Sequence, residues 1–313
     1  MDYLSYPMEF IHKVEYQFNE RTTIPWMHAH WQWSIYISLL YLALVLGGRR
    51  YMRDRPPYDL RAALCMWSTA LSAFSFYAVL RIYPPSFNMV YVGGWRHAVC
   101  DSRSYVGSVG TGVWAFLFPF SKLPELFDTL FIVLRKSKLN FLHVYHHITV
   151  FVYCWYSYAY PIGPGIWFGI VNYTVHSIMY AYYALTATGR RLPRWVSTCI
   201  TLIQLSQMFV GIWLNYVSIT SLLNGNACNT NWFAIGLSIF FYTSYAILFA
   251  NFFYWSYCAK GKGGAESEKG EKVKGGSSRV PVEGARPVVN GVQANGSTSG
   301  LKKGGVANGS VKH

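Results

Sequence analysis

Apolar and aromatic residues run almost unbroken through seven stretches: Trp31 to Gly48, Ala62 to Leu80, Gly112 to Leu134, Phe141 to Tyr160, Gly165 to Ala187, Val196 to Leu222 and Trp232 to Cys258. Each is near the ~20 residues that a helix needs to cross hydrocarbon. The pattern predicts an all-α polytopic membrane protein whose seven transmembrane helices occupy residues 31–258. The preceding segment, residues 1–30, is polar, carries Asp2, Glu9, Glu15 and Glu20, and has no cleavable apolar core, so the first span is expected to stay in the chain.

Orientation follows from Lys and Arg in the connections, because short positive loops are retained in the cytosol. Arg49, Arg50, Arg53, Arg55 and Arg61 lie between the first two spans, Arg135, Lys136 and Lys138 between the third and fourth, and Arg190, Arg191 and Arg194 between the fifth and sixth. The alternate loops 160–165 and 221–231 hold none, and the long connection 81–111, with three arginines, weighs less in such a count. The N-terminal segment is therefore expected to be non-cytosolic and the C-terminus cytosolic.

Composition sharpens this picture at one place. In 313 residues, 52% hydrophobic and 18% aromatic with 13% charged is not a soluble composition. Residues 259–313 break the trend, with ten Lys or Arg, four Glu, thirteen of the 27 Gly and no Phe, Trp or Tyr. Such a segment buries too little surface to order itself, and it is expected to be a disordered basic tail carrying +6 of the formal +14.

Polar side chains inside hydrocarbon are costly, so each is paired or functional. In the third span KLPELFDT sets Lys122, Glu125 and Asp128 three residues apart, within about 120° of helical arc, as a self-neutralising cluster or a binding face. In the fourth, HVYHH puts His143, His146 and His147 at i, i+3 and i+4 on one face. The fifth carries NYTVHSIMYAYY, where Asn172, His176, Tyr180 and Tyr183 fall on one stripe, and the sixth adds Thr201, Gln204 and Gln207 on one side. Counting rise from the basic loops places His146, Gln204 and Glu125 roughly 12 to 15 Å deep and His176 and Lys122 roughly 20 Å deep, so several helices offer polar groups to one slab. A shared polar cavity open towards the cytosol is expected.

Three chemistries fit such a cavity. Histidines with nearby carboxylates suit a metal-dependent lipid oxidase, but only His143, His146, His147 and His176 lie in spans, fewer than several histidine boxes would supply. A heptahelical receptor or channel would bind a ligand there without turnover and has the same topology. Nucleophilic catalysis is the third; no G-x-S-x-G elbow occurs, and Cys65, Cys154 and Cys199 sit among apolar neighbours, which leaves histidine as the activated nucleophile.

KLPELFDT, LHVYHHITV, NYTVHSIMYAYY and TLIQLSQ, in that order, resemble the fatty acid elongase (ELO) family of very-long-chain 3-oxoacyl-CoA synthases over about Cys100 to Cys258. HHITVFVYCWYSY looks most like the branch acting on saturated and monounsaturated chains. The resemblance implies a ring of six helices around a closed-ended acyl tunnel with one helix outside, in the endoplasmic reticulum membrane. It implies condensation of acyl-CoA with malonyl-CoA through an acyl-histidine, with no metal and no cofactor. His146 would then be the nucleophile, His143 and His147 would orient it or bind the oxyanion, and His176 would assist at the thioester or in decarboxylation. Lys122, Glu125, Asp128, Asn172, Tyr180, Tyr183, Gln204 and Gln207 would meet substrate. The expected partners are acyl-CoA, malonyl-CoA, the bilayer and other enzymes of the elongation cycle, and no nucleic acid. The orientation puts Cys100 and Cys228 in the oxidising lumen, where they are expected to form a disulfide.

Overall fold

The computed structural model describes residues 5–101 and 110–259, with side chains from residue 11, so the expected tail lies outside the described residues apart from Ala259. Among the described residues ten α-helices follow in order: α1 Ser5–Gln17, α2 Glu20–His30, α3 Trp33–Tyr51, α4 Arg61–Cys100, α5 Gly112–Glu125, α6 Phe127–Leu134, α7 Phe141–Ala159, α8 Gly165–Ala187, α9 Arg194–Leu223 and α10 Trp232–Phe253, with a π-turn over Tyr254–Cys258. No strand occurs among the described residues. By length and composition α4, α9 and α10 with its π-turn are apolar enough to cross a membrane, and α2 with α3, bent by 55°, passes the same test as a pair.

Neighbouring helices close a ring. α4 packs on α8, α8 on α9, α9 on α10, α10 on α7, α7 on α5 and α5 back on α4, while α3 lies outside against α6 and α7. Small and amide residues permit the close approaches. A methyl group at Gly211 of α9 would meet the Tyr242 ring of α10 at 2.2 Å, and one turn on, Asn215 Nδ2 donates to Ser238 Oγ of α10 at 2.8 Å. Because lipid offers no hydrogen-bond partners, such interhelical bonds hold where greasy contact alone does not discriminate.

Two sequence expectations change here. Residues 81–100 of the connection expected as a long loop are helical, since α4 runs on through Pro84 and Pro85 to Cys100, broken only where Gly94 adopts φ 72°, a conformation open to glycine. The third span is not one helix. Pro124 removes an amide donor, and the chain turns at Leu126, whose N–H bonds Leu123 O at 3.2 Å before α6 begins. The polar N-terminal segment packs onto the bundle, α1 on α5 and α2 on α7, and Glu15 is 3% exposed.

Candidate functional site

Lys122 ends α5 facing inward and is 2% exposed, an ammonium that hydrocarbon could not hold alone. Its Nζ donates to Glu125 Oε1 and to Asn172 Oδ1 of α8, each at 2.7 Å. With its oxygen so engaged, Asn172 presents Nδ2 to His176 Nε2 at 3.2 Å, one turn along α8. His176 Nε2 is thereby an acceptor, and its ring hydrogen belongs on Nδ1, which lies 3.3 Å from Glu125 Oε1. The four groups form a closed ring in which the Lys–Glu charges cancel.

The three histidines of α7 are not alike. His143 is held: its main-chain N–H is capped by Asn140 Oδ1 at 2.8 Å, and Nε2 meets Thr129 Oγ1 at 2.8 Å, which in turn meets Tyr41 OH of α3 at 2.7 Å. His147 is buried 4.2 Å from the His143 ring. His146 alone of the span histidines is only half-buried, and its imidazole has no hydrogen-bond partner among the described residues; it stands edge-on to Tyr245 of α10 at 5.1 Å.

What His146 faces is the ring's interior. Two cavities meet there, sharing His146, Asn172, Gln207 and Met208 in their walls. One is polar, lined by Glu125, Asp128, all four span histidines, Tyr180, Tyr183 and Gln204, and reaches Arg135 at the basic end. The other is apolar and aromatic, lined by Phe118, Tyr153, Phe168, Tyr173 and Phe241, and ends at Ile82, Trp114, Pro161 and Ile162. A ligand with a charged head and a hydrocarbon tail would place its junction at His146.

Of the polar residues singled out within the spans, all but Lys122 and Thr201 line one of these cavities; Lys122 stands behind Glu125 over the Phe118 ring. Asp128 lines the polar cavity with Glu125, and its carboxylate accepts from Trp67 Nε1 at 2.9 Å and from Tyr180 OH at 2.6 Å. Gln204 Nε2 donates to Met179 Sδ at 3.0 Å, and Thr201 contacts the Tyr257 hydroxyl at 3.2 Å rather than a cavity. Trp67, Thr129, Tyr41 and Tyr245 went unmarked in the sequence. Thr129 alone carried a signal, lying beside Asp128 within KLPELFDT.

At the apolar end Cys100 and Cys228 are joined, and their neighbours knit the loops together: Asn229 N donates to Cys100 O at 2.9 Å and Gly163 N to Asn229 O at 2.6 Å. A Cβ on Gly163 would strike Val99 O at 2.4 Å. Among the described residues no group of three or more His, Cys, Asp or Glu side chains is arranged to hold a metal ion.

A helical ring with a polar chamber opening into an apolar one defines a membrane protein built around an amphiphile. The chain belongs to the ELO family: the family model described as GNS1/SUR4 matches residues 26–265, as the four motifs implied. It is similar to very long chain fatty acid elongase 6 of Gallus gallus, 43% identical over 249 residues that cover 80% of this chain and 93% of the relative. The same-named protein of Mus musculus is 42% identical over 258 residues, 82% and 96% of the two chains. Putative fatty acid elongase 3 of Caenorhabditis elegans is 38% identical over 267 residues, 83% and 81%. This is a multi-pass membrane protein.

Proposed function

We propose that the protein is a 3-oxoacyl-CoA synthase that elongates long-chain saturated and monounsaturated acyl-CoAs by two carbons, with His146 as the acyl carrier. The observation that carries the reading is the position of His146, the one half-buried and unpartnered span histidine, in the wall common to the polar and apolar cavities. The tail would fill the apolar cavity, the thioester would lie at His146, and the CoA phosphates would meet Arg135 and the basic loops beside it.

A neutral imidazole nitrogen of His146 attacks the thioester carbonyl, the carbon–sulfur bond breaks, and the ring proton leaves with the thiolate as free CoA. His143 and His147, one turn and one residue away, orient the ring and face the developing oxyanion. Malonyl-CoA then enters. Its carboxylate departs as CO2, the electron pair left on the α-carbon attacks the acyl carbon, and the carbon–nitrogen bond to His146 breaks as the imidazole regains a proton. His176, fixed by Asn172 and Glu125, is positioned to contact the malonyl thioester as that pair develops. So written, the reaction needs no cofactor or metal. The enzyme would sit in the endoplasmic reticulum membrane with its N-terminal segment lumenal and its tail cytosolic, beside the other enzymes of the cycle.

Purified protein given acyl-CoAs of graded length with radiolabelled malonyl-CoA is expected to yield labelled 3-oxoacyl-CoA two carbons longer, with stoichiometric CO2. Malonyl-dependent product from no acyl-CoA on the panel would contradict the reading.

A further inference from the structure

The floor of the apolar cavity is held by a residue that the family match does not include. Trp114 lies two residues into α5, eleven before Glu125, which by helical rise sets it roughly 16 Å from the slab of histidines. Its ring is wedged between Phe74 and Tyr77 of α4, at 5.8 and 5.3 Å, and Tyr173 OH donates to its carbonyl at 3.1 Å. Its side-chain polar atom, the indole Nε1, donates to Glu15 Oε1 at 2.8 Å. Glu15 comes from α1, ahead of residues 26–265, and is itself clamped by Arg81, whose Nε donates to Oε1 at 2.8 Å and whose Nη2 bonds Oε2. Arg81 immediately precedes Ile82, and both Ile82 and Trp114 line the apolar cavity.

We infer that Glu15 is a specificity-determining positioning residue: through Trp114 it fixes the depth of the apolar cavity and thereby the longest acyl chain accepted. The inference rests on the elongase reading above. Without Glu15 the indole N–H is a buried donor without an acceptor, a cost the ring relieves by turning towards another partner, and any turn moves the cavity floor. A purely structural tie between α1 and the bundle would lower stability and leave the preference among chain lengths untouched. The tie to Arg81 means the floor is set from two helices at once, since the same carboxylate places Trp114 of α5 and the residue before Ile82 of α4.

The test compares kcat/KM for the wild type's preferred acyl-CoA with that for one two carbons longer, a ratio that does not depend on how much of each preparation is active. Glu15→Met, similar in length but without an acceptor, is expected to raise the longer-to-preferred ratio about 10-fold, the scale on which apolar pockets discriminate methylenes. Glu15→Gln keeps an oxygen for Trp114 and should restore the wild-type ratio. Trp114→Phe, which keeps the ring packing but shrinks the floor, must shift the ratio the same way, and it decides the matter if Glu15→Met does not fold. An unchanged ratio in Glu15→Met, or in Trp114→Phe, overturns the inference. A wild type that elongates nothing overturns the elongase reading instead.

Discussion

Lys122 Nζ donates to Asn172 Oδ1 at 2.7 Å, and this bond between α5 and α8 settles which nitrogen of His176 carries the hydrogen. It does so indirectly: once the amide oxygen accepts from the ammonium, only the amide nitrogen is left to face His176 Nε2. A lysine that lines neither cavity thus sets the tautomer of a histidine that lines one.

Lys122→Met should therefore injure the protein twice. Glu125 is left as a lone buried charge, which costs about 3–5 kcal/mol, and Asn172 becomes free to flip. Adding Glu125→Gln removes the stranded charge and should recover most of the stability but not the condensation rate. Thermal unfolding in detergent beside a condensation assay separates the two; a double variant no more stable than Lys122→Met would show that the pair is not coupled.

The chain from His143 through Thr129 to Tyr41 makes a second prediction. Thr129→Val keeps the shape and removes the hydroxyl that both neighbours use, leaving two buried polar groups unpaired at about 1–3 kcal/mol. Acyl transfer to the protein should slow while KM for acyl-CoA stays near wild type. Unaltered single-turnover acylation in Thr129→Val would show that His143 needs no positioning from this side.

The two predictions draw on different degrees of legibility. Lys122, Glu125, Asn172 and the histidines stood out in the sequence because a charge or imidazole in an apolar run has no packing explanation, and the helical period told which of them share a face. Asp128 shares the polar cavity with Glu125, but its partners Trp67 and Tyr180 lie 61 and 52 residues away, where helical period says nothing. Trp67, Tyr41 and Tyr245 were invisible, since a chain with 25 Tyr and 12 Trp gives no way to tell a hydrogen-bonded aromatic from a packing one. Glu15 stood only as one of four acidic residues in a polar segment; its partner Arg81 is 66 residues away, and no local pattern links them. The same distance hides why α4 passes Pro84 and Pro85, as its long contact with α8 supports the helix from outside.

Glu15 also gives the protein a dependence on acid. Burial alone would raise its carboxyl, but hydrogen bonds from Arg81 and Trp114 and the charge of Arg81 outweigh burial and hold it below its ordinary value of 4.5. A carboxyl depressed by folding stabilises the fold above its unfolded value, and that contribution is lost as pH falls through the folded value. Stability should thus decline as pH drops below about 4.5, and Glu15→Gln should flatten part of that decline. An acid limb identical in wild type and Glu15→Gln would place the sensitive group elsewhere.

Cys100 and Cys228 are 128 residues apart in sequence, so their bond closes a long loop of the unfolded chain. Replacing both with Ser should cost roughly 2–5 kcal/mol and loosen the segment around Gly163 that ends the apolar cavity. Intact mass after alkylation, with and without reductant, should show two more blocked thiols on reduction. An unchanged count would mean that the pair is reduced in the isolated protein.

The central claim is that His146 carries the acyl group, and it is tested most directly without malonyl-CoA. Acyl-CoA alone should release one equivalent of CoA per active protein and leave the intact chain heavier by one acyl group, with the label on the peptide containing His146. His146→Ala, which keeps a strong helix former in α7, should abolish the CoA burst and the mass shift while the helical circular dichroism is preserved. Acylation that persists in His146→Ala, with only condensation lost, would contradict the account and move the nucleophile to another residue.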